Sequence, residues 1–211
     1  MRRKERAALV LDRLRQRYPT PGSHLDWRTP WELLAATALA AQCTDARVNS
    51  VTPTLFARWP GTAAMAGADL AEVEAVVRPT GFYRNKAKNL VVAAARIEAV
   101  YGGEVPRTME ELITLAGVAR KTANIVLSNA FGINVGLAVD THVKRITFRL
   151  GLTTATDPVP VERDLMPLFP QEAWGDVNHM LVFFGREVCA ARTPRCEACE
   201  LADICPRQGM A

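Results

Sequence analysis

No stretch of this 211-residue chain is apolar for long enough to span a bilayer, which excludes a helical membrane anchor. The N-terminus is basic, but it lacks the apolar segment and cleavage site of a secretory signal. The expected location is therefore a reducing cytoplasm, where disulfides are rare. Period-two alternation of apolar and polar residues is also missing, which leaves no signature for a sheet. No low-complexity segment and no repeat array occurs. Cysteine is scarce outside the last 23 residues, where four of the five lie; Cys43 stands alone and reads as a small buried hydrophobe.

What remains is enough for a substantial core, with 49% hydrophobic and 23% charged residues. The net charge is only +4, but its placement is uneven. Arg2, Arg3, Lys4, Arg6, Arg13, Arg15 and Arg17 crowd the first predicted helix, and Arg186, Arg192, Arg195 and Arg207 crowd the C-terminus. Such clusters suit a polyanionic partner, or simply a solvated helical face.

Nearly every segment reads as helix, so the fold class is all-α. A basic helix stops near Tyr18-Pro19, and Thr29-Pro30 supplies an N-cap and first helical residue for an Ala- and Leu-rich helix buried on most sides. Asp69 with Glu72 and Thr108 with Glu111 have capping-box spacing. A helix over 85–101 is closed by Gly102-Gly103. Further helices are predicted over about 120–131, from after Asp140 to Gly151, and from Trp174 towards Cys189.

The sharpest local pattern is Cys189-x6-Cys196-x2-Cys199-x5-Cys205. Four closely spaced thiols in a reducing compartment point to metal, because thiolates are soft ligands and one loop can wrap a centre. On spacing alone zinc and an iron–sulfur cluster are both open, and a pair of disulfides is the bland alternative.

Leu115 to Asn124 reads as a short helix, a tight turn at Gly117 and a new helix start. Unpaired backbone N–H groups there, backed by the helix dipole, make a phosphate site. Gly117, Ala119 and Thr122 are its candidate contributors. Lys121 stands in the first helical turn, where the positive helix end and the Arg120 guanidinium both disfavour a charged ammonium. It is either a covalent amine nucleophile or a solvated surface lysine. Asp140 either caps the following helix or faces a developing cation. His142, in that helix's first turn, either helps hold phosphate or caps. His24 and His179 read as ordinary surface or packing residues.

Together with Ala41-Gln42-Cys43-Thr44-Asp45 and Gly81-Phe82-Tyr83-Arg84-Asn85-Lys86-Ala87, these pieces resemble the endonuclease III family of helix-hairpin-helix DNA glycosylase/AP lyases over nearly the whole chain. The resemblance implies two lobes with a DNA cleft between them: a six-helix lobe at 25–136 carrying the hairpin, and a cluster lobe formed by 1–24 with 137–211. It implies a [4Fe–4S] cluster on Cys189, Cys196, Cys199 and Cys205, in place of zinc. Lys121 then matches the lysine that attacks the sugar C1′, and Asp140 the essential carboxylate. Gln42 resembles the residue that fills the gap left by an extruded base, and Phe82 an apolar wedge. Arg192 and Arg195, between the first two cysteines, would contact phosphate. The implied activity is removal of damaged pyrimidines from double-stranded DNA, with strand cleavage at the abasic site, by a monomeric enzyme that touches no membrane.

Three positions depart from the family pattern: Ala116 replaces a proline, Ala119 a glycine, and Phe82 a leucine. If position 119 requires a positive φ, alanine there costs about 1–2 kcal/mol, and weaker DNA binding or a narrower substrate range is expected. Rival readings are an adenine-removing or a thymine/uracil mismatch glycosylase, both of which tend to lack the lysine, and a non-catalytic DNA-binding iron–sulfur protein.

Overall fold

Thr29, Thr44, Asp69, Thr108 and Asp140 each stand in extended backbone before a helix, and each side chain accepts a hydrogen bond from the N–H three residues on. They open five of the twelve α-helices in the computed structural model, which describes residues 1–210; no strand occurs among those residues. In chain order the helices are α1 (Arg3–Arg17), α2 (Pro30–Leu39), α3 (Asp45–Asn49), α4 (Thr52–Arg58), α5 (Thr62–Ala66), α6 (Leu70–Val77), α7 (Tyr83–Tyr101), α8 (Met109–Leu112), α9 (Arg120–Phe131), α10 (Thr141–Arg149), α11 (Pro158–Leu165) and α12 (Trp174–Glu187). A 3-10 turn at Arg78–Thr80 joins α6 to α7. Gly102 and Gly132 end α7 and α9 in left-handed conformation. None of the described helices is long and apolar enough to cross a membrane.

The chain divides into two compact units: Ser23–Ile133, and Met1–Gly22 together with the chain from Asn134 onward. In the first, α2 is the central rod, with Leu33, Ala35, Ala36 and Leu39 wholly buried, and it packs on α7 and α9. Its Ala- and Leu-rich run is buried on most sides because it is covered from several directions. The long α7 in turn packs on α5 and α6. Three short helices, α3 to α5, fill residues 45–66, where the sequence offers no periodic signal. Five or seven residues are too few to display a helical repeat, and such segments are held by packing rather than by their own propensity.

The second unit is built on α12, which packs on α1 and α10. Phe184, Leu14 and Ile146 are among its fully buried side chains. Truncating one of these to alanine would cost about 2–5 kcal/mol. The basic face of α1 is partly spent inside this unit. Arg13 pairs with Asp203 (Nη2–Oδ2 2.9 Å), and Arg17 pairs with both Glu187 and Glu200 (2.9 and 3.1 Å). Crowded arginines in α1 therefore serve in part to tie the helix to the C-terminal segment, a use that charge counting does not distinguish from phosphate binding.

Candidate active site and metal centre

The hairpin is set by packing beneath its turn. After α8, Leu115 and Val118 N–H groups donate to the carbonyls of Leu112 and Leu115, closing two tight turns. Gly117 has φ +77°, and a Cβ there would meet the Asn89 side chain on α7, with Nδ2 only 2.7 Å away. Only glycine satisfies both conditions. The N–H groups of Gly117, Ala119 and Thr122 form no hydrogen bond with another described residue, which leaves donors available to an anion. Lys121 is exposed in the first turn of α9.

Ala119 corrects an expectation. Its backbone is extended, with φ −90° and ψ 167°, as befits the residue before a helix. Alanine adopts that conformation without strain, so the departure at this position carries no φ penalty. Ala116 is half-buried in the same turn.

Gln42 and Phe82 are two of the three non-glycine residues with positive φ among the described residues, at 53° and 48°. Each such conformation costs about 1–2 kcal/mol and is kept only where the surroundings impose it. Both side chains are exposed, Phe82 at 64%, an unusual state for a phenylalanine without a partner. Cys43, next to Gln42, is half-buried against the core of its unit, in keeping with a packing role.

In the other unit Asp140 caps α10, its Oδ1 accepting the Val143 N–H at 2.8 Å. The side chain is half-buried, and its second oxygen is not used by that cap. His142 lies against α12 at Gly185, where a Cβ would strike the imidazole. Arg145 Nη2 lies 3.1 Å from His142 Nδ1 and donates to the carbonyls of Gly185 (3.1 Å) and Cys189 (2.9 Å). Burial pushes the His142 imidazole below its ordinary value; Asp140 opposes that, and Arg145 reinforces it. His142 thus has a packing environment, and the capping alternative belongs to Asp140.

All four clustered cysteines line one cavity, with Ile146, Phe184 and Arg149. Arg149 Nη1 donates to Cys189 Sγ at 3.3 Å and the Leu201 N–H to Cys199 Sγ at 3.4 Å. Burial raises the Cys199 and Cys205 thiols above their ordinary value, so a bound cationic centre must displace their protons. No three His, Cys, Asp or Glu side chains among the described residues are gathered tightly enough for a single metal ion. Zinc would draw four sulfurs to about 2.3 Å from one point. Four thiolates are also the donor set of an iron–sulfur cluster, so the residues present fit either centre.

Arg192 and Arg195 are exposed on the loop leading to Cys196, and neither forms an ion pair among the described residues. His24 lends its carbonyl to Asn49, and His179 stacks on Phe183 at 6.4 Å between ring centres. Four side chains that matter to this geometry escaped the sequence reading: Lys86, Asn89, Arg145 and Arg149. Arg145 and Arg149 had a weak signal, since they fall three and seven residues after His142 on the same helical face. Lys86 and Asn89 had none beyond their place in or near the motif at 81–87.

The family described as HhH-GPD superfamily base excision DNA repair protein matches residues 35–171, a span that includes Gln42, Phe82, Lys121 and Asp140 and stops before Cys189. An endonuclease III from Synechocystis sp. is 54% identical over 204 residues, covering 97% of this chain and 93% of that protein. The solved structure of a non-covalent endonuclease III–DNA complex superposes with a TM-score of 0.92 at 42% identity, covering 98% of this chain and 97% of the other. A trapped covalent endonuclease III–DNA intermediate, an estranged-adenine complex, matches with the same TM-score, identity and coverage.

Proposed function

This chain is a member of the endonuclease III family within the HhH-GPD superfamily of base excision DNA repair proteins, and on that premise we propose that it excises damaged pyrimidines from double-stranded DNA and cleaves the strand at the abasic site. One observation carries the reading. A relative 42% identical to this chain has been trapped as a covalent intermediate with DNA, and Lys121 here is an exposed primary amine at the head of α9.

A base inside a duplex is out of reach, so it must be extruded at a cost of a few kcal/mol, least for a damaged base. In this reading Phe82 wedges the stack and Gln42 fills the gap, while the hairpin N–H groups of Gly117, Ala119 and Thr122 hold phosphate. Lys121, as the free amine, attacks C1′. The bond from C1′ to the base breaks as the Nζ–C1′ bond forms, and the base leaves with a proton. The sugar ring then opens to the protonated imine. Loss of the C2′ proton and cleavage of the C3′–O bond release the 3′ phosphate, and water regenerates Lys121. The carboxylate of Asp140, held in orientation by the Val143 N–H, stabilises the cationic sugar and assists proton transfer. His142 supports the segment that carries Asp140.

Cys189, Cys196, Cys199 and Cys205 would hold a [4Fe–4S] cluster, which when bound cross-links the C-terminal loop and fixes Arg192 and Arg195 for phosphate contact. The enzyme is read as a monomer working on the chromosome in the cytoplasm.

The test is cleavage of duplexes carrying thymine glycol, uracil opposite guanine, adenine opposite oxidised guanine, or an abasic site. Nicking at thymine glycol and at the abasic site supports the proposal. Excision confined to adenine, or to uracil opposite guanine, would transfer the chain to a mismatch glycosylase role, and binding without cleavage would leave a non-catalytic DNA-binding protein.

A further inference from the structure

Lys86 is a lysine where a lysine is expensive. Only 7% of it is exposed, in the second turn of α7. Its Nζ donates to the Leu39 carbonyl at 2.9 Å and to the Thr80 carbonyl at 2.7 Å. Neither carbonyl accepts a turn or loop backbone hydrogen bond, so the ammonium satisfies both. Leu39 is the last residue of α2, where a cation also meets the negative end of the helix. Thr80 is the last residue of the 3-10 turn.

The two segments it joins lead directly to the two strained, exposed residues of this unit. Gln42 follows Leu39 by three positions, and Phe82 follows Thr80 by two. Each turns to positive φ there. The segments are also neighbours, since α3, just beyond Gln42, packs against the 3-10 turn just before Phe82. A left-handed glutamine and a left-handed phenylalanine need outside forces to hold them, and one buried cation ties together the two segments that lead into them, at Leu39 and Thr80.

We propose that Lys86 is a positioning residue that locks the Gln42 and Phe82 loops into one register, so that wedge and gap-filler enter the duplex as a unit. The idea rests on the reading of those two side chains given above. An apolar side chain at this position would bury more cheaply and would leave the two loops joined only by van der Waals contact. Burial also pulls the Lys86 ammonium below its ordinary value, with Cys43 acting in the opposite sense. The molecule therefore bears a desolvation cost at a point that contributes nothing obvious to the core.

The test is a mutant cycle on the full, cluster-loaded protein. Lys86→Met is made in the natural background and in Gln42→Ala/Phe82→Ala. Two quantities are read: single-turnover excision of thymine glycol, and the fluorescence of a 2-aminopurine beside the lesion, which rises when that step unstacks. In the natural background Lys86→Met should slow excision at least about tenfold, since both charge-assisted hydrogen bonds of the ammonium are lost, and should abolish the fluorescence rise. In the Gln42→Ala/Phe82→Ala background it should slow excision by less than about twofold, because the residues it acts through are gone. Lys86→Arg should restore part of both signals. An equal loss in the two backgrounds, or an unchanged fluorescence rise in Lys86→Met, would overturn the proposal. If Lys86→Met does not fold, Lys86→Gln, which removes the charge, is carried through the same cycle with the same criteria. A natural-sequence protein that unstacks the lesion step without nicking it would sink the functional reading while leaving the positioning role to be judged by fluorescence alone.

Discussion

Replacing Gly117 by alanine should damage the hairpin through two separable effects. Its φ of +77° places any L side chain in the left-handed region, at a cost of about 1–2 kcal/mol. The added Cβ would also sit 2.7 Å from Asn89 Nδ2 and 3.0 Å from Asn89 Cβ. Such overpacking typically costs about 1–3 kcal/mol. The sum is about 2–5 kcal/mol, a large share of the stability of an ordinary domain. Urea melts of Gly117→Ala, with and without Asn89→Ala, separate the terms. Truncating Asn89 removes the clash but leaves the backbone cost, so the penalty of Gly117→Ala should shrink to about 1–2 kcal/mol in that background. A penalty below about 0.5 kcal/mol in natural protein, or one that is identical in both backgrounds, would refute the account of why glycine stands here.

Other outcomes follow from the same geometry. Ala119→Gly relieves no strain, because position 119 is extended; affinity for abasic-analogue DNA in a gel shift should be unchanged, and a clear gain would show that the bound hairpin needs a positive φ. Asp140→Asn keeps an equally good cap on α10, so its melting should lie within about 0.5 kcal/mol of the natural protein while base excision is lost; full activity would reduce Asp140 to a cap. Burial raises the Asp176 carboxyl above its ordinary value, and Arg15 only partly offsets that. The folded state therefore holds its proton at a pH where the unfolded state has lost it, and stability falls as pH rises through that window. Asp176→Asn should accordingly melt higher than the natural protein at pH 7, with the gap closing towards acid; a gap that widens on acidification would contradict the burial argument.

How much of this was legible in the amino acids depended on whether the determining contacts were local. Thr29-Pro30, Asp69 and Thr108 announce helix starts because a cap is a bond between neighbours three residues apart. The short helices α3 to α5 were invisible because their stability comes from packing. The family's glycine at position 119 raises the question of a positive φ, which Ala119 does not adopt, whereas Gln42 and Phe82 adopt it without a glycine to signal it. Lys86 read as one letter of a motif; its burial exists only once α2, the 3-10 turn and α7 meet. Charge alone leaves Arg13 and Arg17 open between phosphate binding and a solvated face, because composition does not record the carboxylates of Asp203 and Glu187 that fold back against them. Resemblance supplied roles for Lys121 and Asp140 that their local chemistry left undecided.

The central claim, that the amine of Lys121 becomes covalently bonded to deoxyribose, is tested most directly by reducing a reaction on abasic or thymine glycol DNA with borohydride and mapping the crosslinked peptide by mass spectrometry. The account predicts a nucleotide adduct on Lys121, absent from Lys121→Ala. An adduct mapped to another side chain, or formed in equal yield by Lys121→Ala, would contradict it.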